Sequence, residues 1–138
     1  MDERISPETG NTLRRDIRPF DVKYKGHTIT VDMPGWYGEG DEDSIHSGID
    51  MIVSDRALHT IKARVEGLLE PTHIQRIRKK LKLTQKRASE LLGGGTNAFQ
   101  KYEAGDVLVS QAMSQLLRLL DSQPELLERL EQHASRAA

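Results

Sequence analysis

The sequence contains no cysteine, which excludes disulfides and any metal site built on thiolates. Long hydrophobic runs are missing as well. The apolar runs that do occur fall far short of the roughly 20 residues a membrane-spanning helix requires. Behind the opening Met1-Asp2-Glu3-Arg4 there is no apolar stretch of the kind a secretory leader carries, so the expected location is cytoplasmic. Hydrophobic residues fill 36% of the 138 positions and charged residues 30%. A core can therefore form, but a small one, in one modest domain or two small ones.

The net charge of −1 hides an asymmetry. Residues 1–70 carry 9 Lys+Arg against 14 Asp+Glu, whereas residues 71–138 carry 11 against 7. The basic excess is densest between Pro71 and Tyr102, where Arg76, Arg78, Lys79, Lys80, Lys82, Lys86, Arg87 and Lys101 meet a single acid, Glu90. An acidic front and a basic back suggest two tasks on one chain, the second of them attraction of a polyanion. A solvated helix face produces the same kind of charge run.

Residues 1–15 are polar, contain Pro7 and Gly10, and read as coil. The runs FDVKY and HTITVDM flank Lys25-Gly26, a two-residue turn, and predict a hairpin with Val22 opposite Ile29 and Phe20 opposite Val31. Pro19 is expected to bend or end the first strand. A lone hairpin is marginal in water, so it must pack on something. A Gly- and acid-rich loop with Trp36 and Tyr37 follows. A helix is then predicted from an N-cap at Ser54 to Leu69, with Leu58, Ile61, Val65 and Leu68 on helical spacing. Pro71 punctuates the chain, and the domain boundary is placed near Glu70.

Beyond it the periodicity predicts five helices and no internal repeat. They cover residues 72–81 (Ile74, Ile77, Leu81), 84–92 (N-cap Thr84; Ala88, Leu91, Leu92), 96–104 (Phe99, Tyr102) and 110–120 (Met113, Leu116, Leu117, Leu120). Pro124 opens the fifth, with Leu126, Leu127 and Leu130. The fold class expected is thus α+β: a small N-terminal hairpin domain with a linking helix, 1–70, and an all-α five-helix domain, 71–138.

The second and third of these helices, joined by Gly93-Gly94-Gly95, match the helix-turn-helix pattern. Gly93 can take the left-handed conformation a tight turn needs, and the other glycines are read as clearing room for a sugar-phosphate chain. Ala88 allows close helix approach, and Phe99 and Tyr102 anchor the third helix. Thr96, Asn97, Gln100 and Lys101 are left on its outer face. Asn97 and Gln100 carry the paired donor and acceptor that match adenine, while Lys101 suits guanine or phosphate. Thr84, Gln85 and Lys86, at the start of the second helix, complete the expected DNA-binding set, with Gln85 and the free amides there holding a phosphate. A nucleotide-binding loop is excluded, because no strand precedes the glycines and no Gly-Lys-Ser/Thr ends them.

Catalysis finds little support. Ser44, His46, Ser47 and Asp50 crowd into seven residues with no glycine elbow or oxyanion device, and no enzyme is expected. Trp36 and Tyr37 read as core or partner contacts rather than a ligand stack.

The stretch RIRKKLKLTQKRASELLGGGTNAFQKYEAGDVLVSQAMSQLLRLLDSQPELL resembles the C-terminal domain of the MqsA (YgiT) antitoxin family, a branch of the Xre/Cro-like regulators. The front half is collinear but weaker: SPETG, the hairpin and PGWYGEGDE sit where that family has zinc-binding half-motifs. The family's Cys-Pro-x-Cys-Gly stands here as Ser6-Pro7-Glu8-Thr9-Gly10, and its second Cys-x-x-Cys as Gly38-Glu39-Gly40-Asp41. Asp41 alone cannot hold zinc, and His27, His46, His59, His73 and His133 lack paired ligand spacing, so no structural zinc and no other cofactor is expected. Such a site supplies folding free energy on the order of 10 kcal/mol in small modules, which the N-terminal domain must replace by packing or by a partner.

The resemblance implies an antitoxin that dimerises through its helix-turn-helix domain, represses its own operon at a palindrome in double-stranded DNA, and neutralises a co-encoded RNA-cleaving toxin through its N-terminal domain. Asn97 matches a base-reading Asn of the family; the family's Arg one turn later is Lys101 here, which lacks the planar fork. Leu116, Leu117, Leu120 and the fifth helix are the expected homodimer contact. Asp41, Glu42 and Asp43 form a charged loop or a phosphate mimic facing a basic toxin. Two other readings stay open: a stand-alone regulator with a partner- or ligand-sensing front domain, and a protein adaptor that keeps the fold without DNA binding.

Overall fold

Residues 3–40 and 43–137 are described by a computed structural model; Asp41 and Glu42 of the acidic loop lie outside the described residues. The fold is α+β, with an N-terminal sheet and an all-helical C-terminal region. The chain divides into two compact units, Met1–Ile61 and Lys62–Ala138.

In the first unit the hairpin is the centre of a four-stranded antiparallel sheet of order β1-β2-β3-β4: β1 Glu3–Ile5, β2 Thr12–Tyr24, β3 His27–Tyr37 and β4 Ser44–Ile45. The expected register holds, with Val22 opposite Ile29 and Phe20 opposite Val31. Lys25 and Gly26 both have positive φ, 45° and 80°, as the mirror-image turn of a two-residue hairpin requires.

Two expectations are corrected here. The opening residues are not all coil, because Glu3–Ile5 folds back on Thr12–Arg14 about a turn at Ser6–Asn11. That pairing joins polar segments and leaves no periodic apolar signal to read. Nor does Pro19 end β2, which runs through it opposite Asp32. Counting outward from the turn, alternate pairs exchange hydrogen bonds, and Pro19 falls on a pair that does not. Its missing N–H would point away from β3, so the ladder loses nothing. Pro34, opposite Ile17, falls on the same kind of pair.

Helix α1 spans Gly48–Glu66 and begins six residues before the expected cap. The cap is Ser47, not Ser54. The Ser47 hydroxyl accepts from the Asp50 amide at 3.2 Å, and the Asp50 carboxylate accepts from the Ser47 amide at 2.9 Å, a reciprocal capping box. Ser54 lies inside the helix with its hydroxyl donating to the Met51 carbonyl. Asp50 is buried, and Arg15 of β2 grips it through two hydrogen bonds of 2.9 Å each. Those bonds, with the Ser47 amide and hydroxyl, hold the Asp50 carboxyl well below the usual carboxylate range against the opposing effect of burial.

The second unit holds α2 Pro71–Lys80, α3 Gln85–Leu92, α4 Ala98–Ala104, α5 Gln111–Ser122, a 3-10 turn Pro124–Leu126 and α6 Leu127–Ala137. These are six helical segments where five are expected, because Pro124 opens a separate 3-10 turn before α6 begins. Thr84 and Ser110 cap α3 and α5, accepting from the Arg87 and Met113 amides. Ile74, Ile77, Ala88, Phe99, Leu117 and Leu120 form the heart of one core. Leu117 and Leu120 are 0% and 1% exposed, so these two of the expected dimer residues are taken up by the core.

Candidate nucleic-acid interface

Helices α3 and α4 position the predicted DNA-binding set. Ala88 and Phe99, both fully buried, lie in the core that the two helices share. Ser89 fastens them: its hydroxyl accepts from the Phe99 amide at 3.1 Å and donates to the Gln85 carbonyl at 2.9 Å. Phe99 and Tyr102 meet edge to face at 5.5 Å, so the opposite side of α4 turns outward.

Lys86, Thr96, Asn97 and Gln100 line one groove of about 520 Å³ together with Ser89, Glu90 and Gly95. Thr84, Gln85 and Lys101 are not among its lining residues. Thr84 is exposed but its hydroxyl is engaged as the α3 cap, Gln85 is half-buried, and Lys101 is exposed. Asn97 was expected inside the recognition helix. It stands instead at the N-cap of α4 in the left-handed conformation, φ 58° and ψ 28°, with no capping hydrogen bond from its side chain. Asparagine tolerates that conformation better than most residues, and the amide is left exposed. The Gln100 side-chain oxygen is buried without a hydrogen-bond partner among the described residues.

The basic surround is smaller than the sequence suggests. Arg78 is locked in a buried pair with Glu103, with bonds of 2.7 and 2.8 Å, and also donates to the Leu83 carbonyl. Arg76 and Lys80 both hold Asp121 of α5. Hydrogen bonds from Arg76 first, then Lys80, pull the Asp121 carboxyl down to about 2. Arg87 lies 3.8 Å from Glu90. Lys79, Lys82, Lys86 and Lys101 remain exposed and without an ion pair among the described residues. Sequence reasoning missed Ser89 and Glu90 at the groove. Their spacing from Lys86, three and four residues on, was the available signal.

The three glycines are required by the backbone: φ is 92° at Gly93, 97° at Gly94 and 101° at Gly95. Gly94 is needed for packing too, since a Cβ there would lie 2.6 Å from the Tyr102 hydroxyl and 3.0 Å from the Ala98 Cβ. The room this glycine clears is thus taken by the protein's own core rather than by a ligand.

In the first unit, the residues that mimic a triad have other work. Ser47 and Asp50 cap α1, and His46 Nδ1 lies 2.9 Å from the Pro34 carbonyl. The guanidinium groups of Arg4 and Arg15 lie over the Trp36 ring at 4.8 and 4.4 Å, and that of Arg18 over Tyr37 at 4.6 Å. Tyr37 also donates its hydroxyl to the Met33 carbonyl. These are structural contacts.

A family profile described as the antitoxin component of a bacterial toxin–antitoxin system, MqsA, matches residues 6–131. The chain belongs to the MqsA antitoxin family. Antitoxin MqsA of Escherichia coli (strain K12) is 35% identical over 116 residues, covering 83% of this chain and 88% of that protein. Members of the MqsA family are regulators rather than catalysts, in keeping with the structural roles of Ser47, His46 and Asp50.

The zinc that the resemblance implies for MqsA proteins does not fit the residues present. Where the first half-motif falls, Ser6 and Thr9 offer neutral hydroxyls, and both donate to the Asp43 carboxylate. Zinc takes thiolate, imidazole or carboxylate ligands, and no group of three His, Asp or Glu able to hold a metal occurs among the described residues. Among those same residues no helix is long and apolar enough to cross a membrane.

Proposed function

We propose that this protein is a DNA-binding antitoxin that represses its own operon and neutralises a co-encoded toxin. One observation carries the DNA-binding part: Lys86 of α3 and Thr96, Asn97 and Gln100 at the start of α4 converge on a single open groove, with the exposed Asn97 side chain making no capping hydrogen bond. In this reading Asn97 and Gln100 contact base edges in the major groove, Lys101 contacts guanine or phosphate, and Thr84, Gln85 and Lys86 hold the backbone. A homodimer on a palindrome would place paired α4 segments about 34 Å apart. With Leu117 and Leu120 committed to the core, we assign the dimer contact to Leu119, which is 56% exposed on α5. The toxin falls to residues 1–70, where Ile17 and Phe20 leave apolar surface for a partner to cover.

The test is binding of the purified chain to duplexes from its own upstream region, with a shuffled duplex as competitor, alongside affinity capture from the source cell. The reading expects salt-sensitive, sequence-selective binding and stoichiometric recovery of a small toxin. Equal affinity for both duplexes at low salt would remove the repressor. Selective binding with no co-purifying toxin would favour a stand-alone regulator.

A further inference from the structure

Ser6 is a buried hydroxyl, 2% exposed, in a segment whose sequence offers no apolar reason for burial. Its Oγ donates to Asp43 Oδ1 at 2.9 Å, and Thr9 Oγ1 donates to Asp43 Oδ2 at 2.6 Å, so both oxygens of one carboxylate are engaged across 37 and 34 residues of chain. The same two hydroxyls organise their own turn. Ser6 Oγ accepts from the Glu8 and Thr9 amides at 3.3 Å each, and Thr9 Oγ1 accepts from the Asn11 amide at 3.2 Å. On the other side, the Asp43 carbonyl accepts from the Gly38 amide at 3.2 Å, and Arg18 holds the Gly38 and Gly40 carbonyls at 2.7 and 3.0 Å. Two turns far apart in sequence are therefore joined through one carboxylate, at the place where the family half-motifs fall.

We propose that Asp43, with Ser6 and Thr9, is a metal-free clasp that closes the sheet end of the N-terminal unit. Short hydrogen bonds from hydroxyls to a carboxylate are the strong, charge-assisted kind. They need no deprotonated ligand, no metal supply and no thiol. The N-terminal unit of this chain therefore keeps its fold when divalent metal is withdrawn and when peroxide is present, conditions that open a thiolate site. Ser6 and Thr9 also act as a pair, since both donate to the same carboxylate.

The experiment uses the full chain and reads amide hydrogen exchange at Ser6, Glu8, Thr9, Gly10, Asn11 and Gly38, with metal content by elemental analysis. The clasp predicts less than stoichiometric zinc and exchange at these amides unchanged by excess chelator or by peroxide. Asp43→Asn or Thr9→Val should speed exchange there by at least about tenfold, leave residues 71–138 unchanged, and not be rescued by added zinc. Thr9→Ser, which keeps the hydroxyl, should restore protection. One zinc per chain with chelator-induced loss of protection would overturn the proposal. So would Asp43→Asn and Thr9→Val variants that exchange like the parent. The readout is independent of DNA or toxin binding, so failure here leaves the functional reading standing, and the reverse.

Discussion

Asn97 sits at a position where the backbone, and not the side chain, is constrained. Its left-handed conformation costs little for asparagine, and its side-chain amide has no partner among the described residues. Asn97→Ala, which loses asparagine's tolerance of φ 58°, should cost about 1 kcal/mol of stability while weakening operator binding by about 1–3 kcal/mol and relaxing preference at one base position; fluorescence anisotropy on a set of single-base operator variants reads both binding effects. Gly94 presents the opposite case, a residue with no part in recognition whose replacement disturbs the core. Gly94→Ala should destabilise the helical unit by about 2–4 kcal/mol, from the positive φ and from the contact with Tyr102. Removing the Tyr102 hydroxyl with Tyr102→Phe in the same chain should recover part of that loss in urea denaturation. Gly95→Ala, with nothing within 4 Å, should show the backbone cost alone.

At the scale of elements, three ion pairs on two carboxylates tie the helices of the second unit. Arg78 and Glu103 join α2 to α4 with side chains only 12% and 5% exposed. Glu103→Gln should cost about 3–5 kcal/mol, because it strands a buried guanidinium; replacing both partners with apolar residues of similar size should cost less. Asp121 joins α5 to α2 through Arg76 and Lys80. Its carboxyl is depressed to about 2 in the folded chain against about 3.9 when unfolded. The stability it contributes is present above about pH 4 and is lost as pH falls through about 2. Chemical denaturation followed by helical ellipticity across that window should show a shallower acid loss in Asp121→Asn than in the parent. A parallel acid dependence in the two proteins would assign the loss to other carboxylates, Asp50 among them.

For the molecule as a whole, the engaged cations set how salt should act on DNA binding. Lys86 is exposed beside the groove, whereas Arg76 is spent on Asp121. Lys86→Ala should lower the slope of log affinity against log salt by about 1, and Arg76→Ala should leave it unchanged. Titrations at four or five salt concentrations distinguish them; an equal change in both slopes would mean that the ion pair to Asp121 opens on DNA. The same measurement on Leu119→Asp, with sedimentation to follow association, connects affinity to dimer formation: a monomeric variant should bind a half-site as the parent does and lose the extra affinity of the full palindrome.

The sequence by itself determined the elements whose signal is local. Hydrophobic spacing located α2 to α5, Thr84 and Ser110 marked two caps, and Lys25-Gly26 set the hairpin register, because each depends on neighbours within a turn or a strand pair. Lys86, Thr96, Asn97 and Gln100 of the groove lining were legible from the outer faces that the periodicity assigns, whereas Ser89 and Glu90 were not, and Thr84, Gln85 and Lys101 lie outside the lining. Tertiary structure alone decided what depends on partners distant in the chain. It recruited the polar Glu3–Ile5 into a sheet, moved the α1 cap to Ser47 where Asp50 can meet Arg15, drew Arg78 out of the basic surface into a buried ion pair, and engaged the still exposed Arg76 and Lys80 with Asp121. It also buried Leu117 and Leu120, and brought Asp43 to Ser6 and Thr9. Charge and polarity can be counted along a chain, but whether a charged group faces water or its opposite is settled only when the chain has closed on itself.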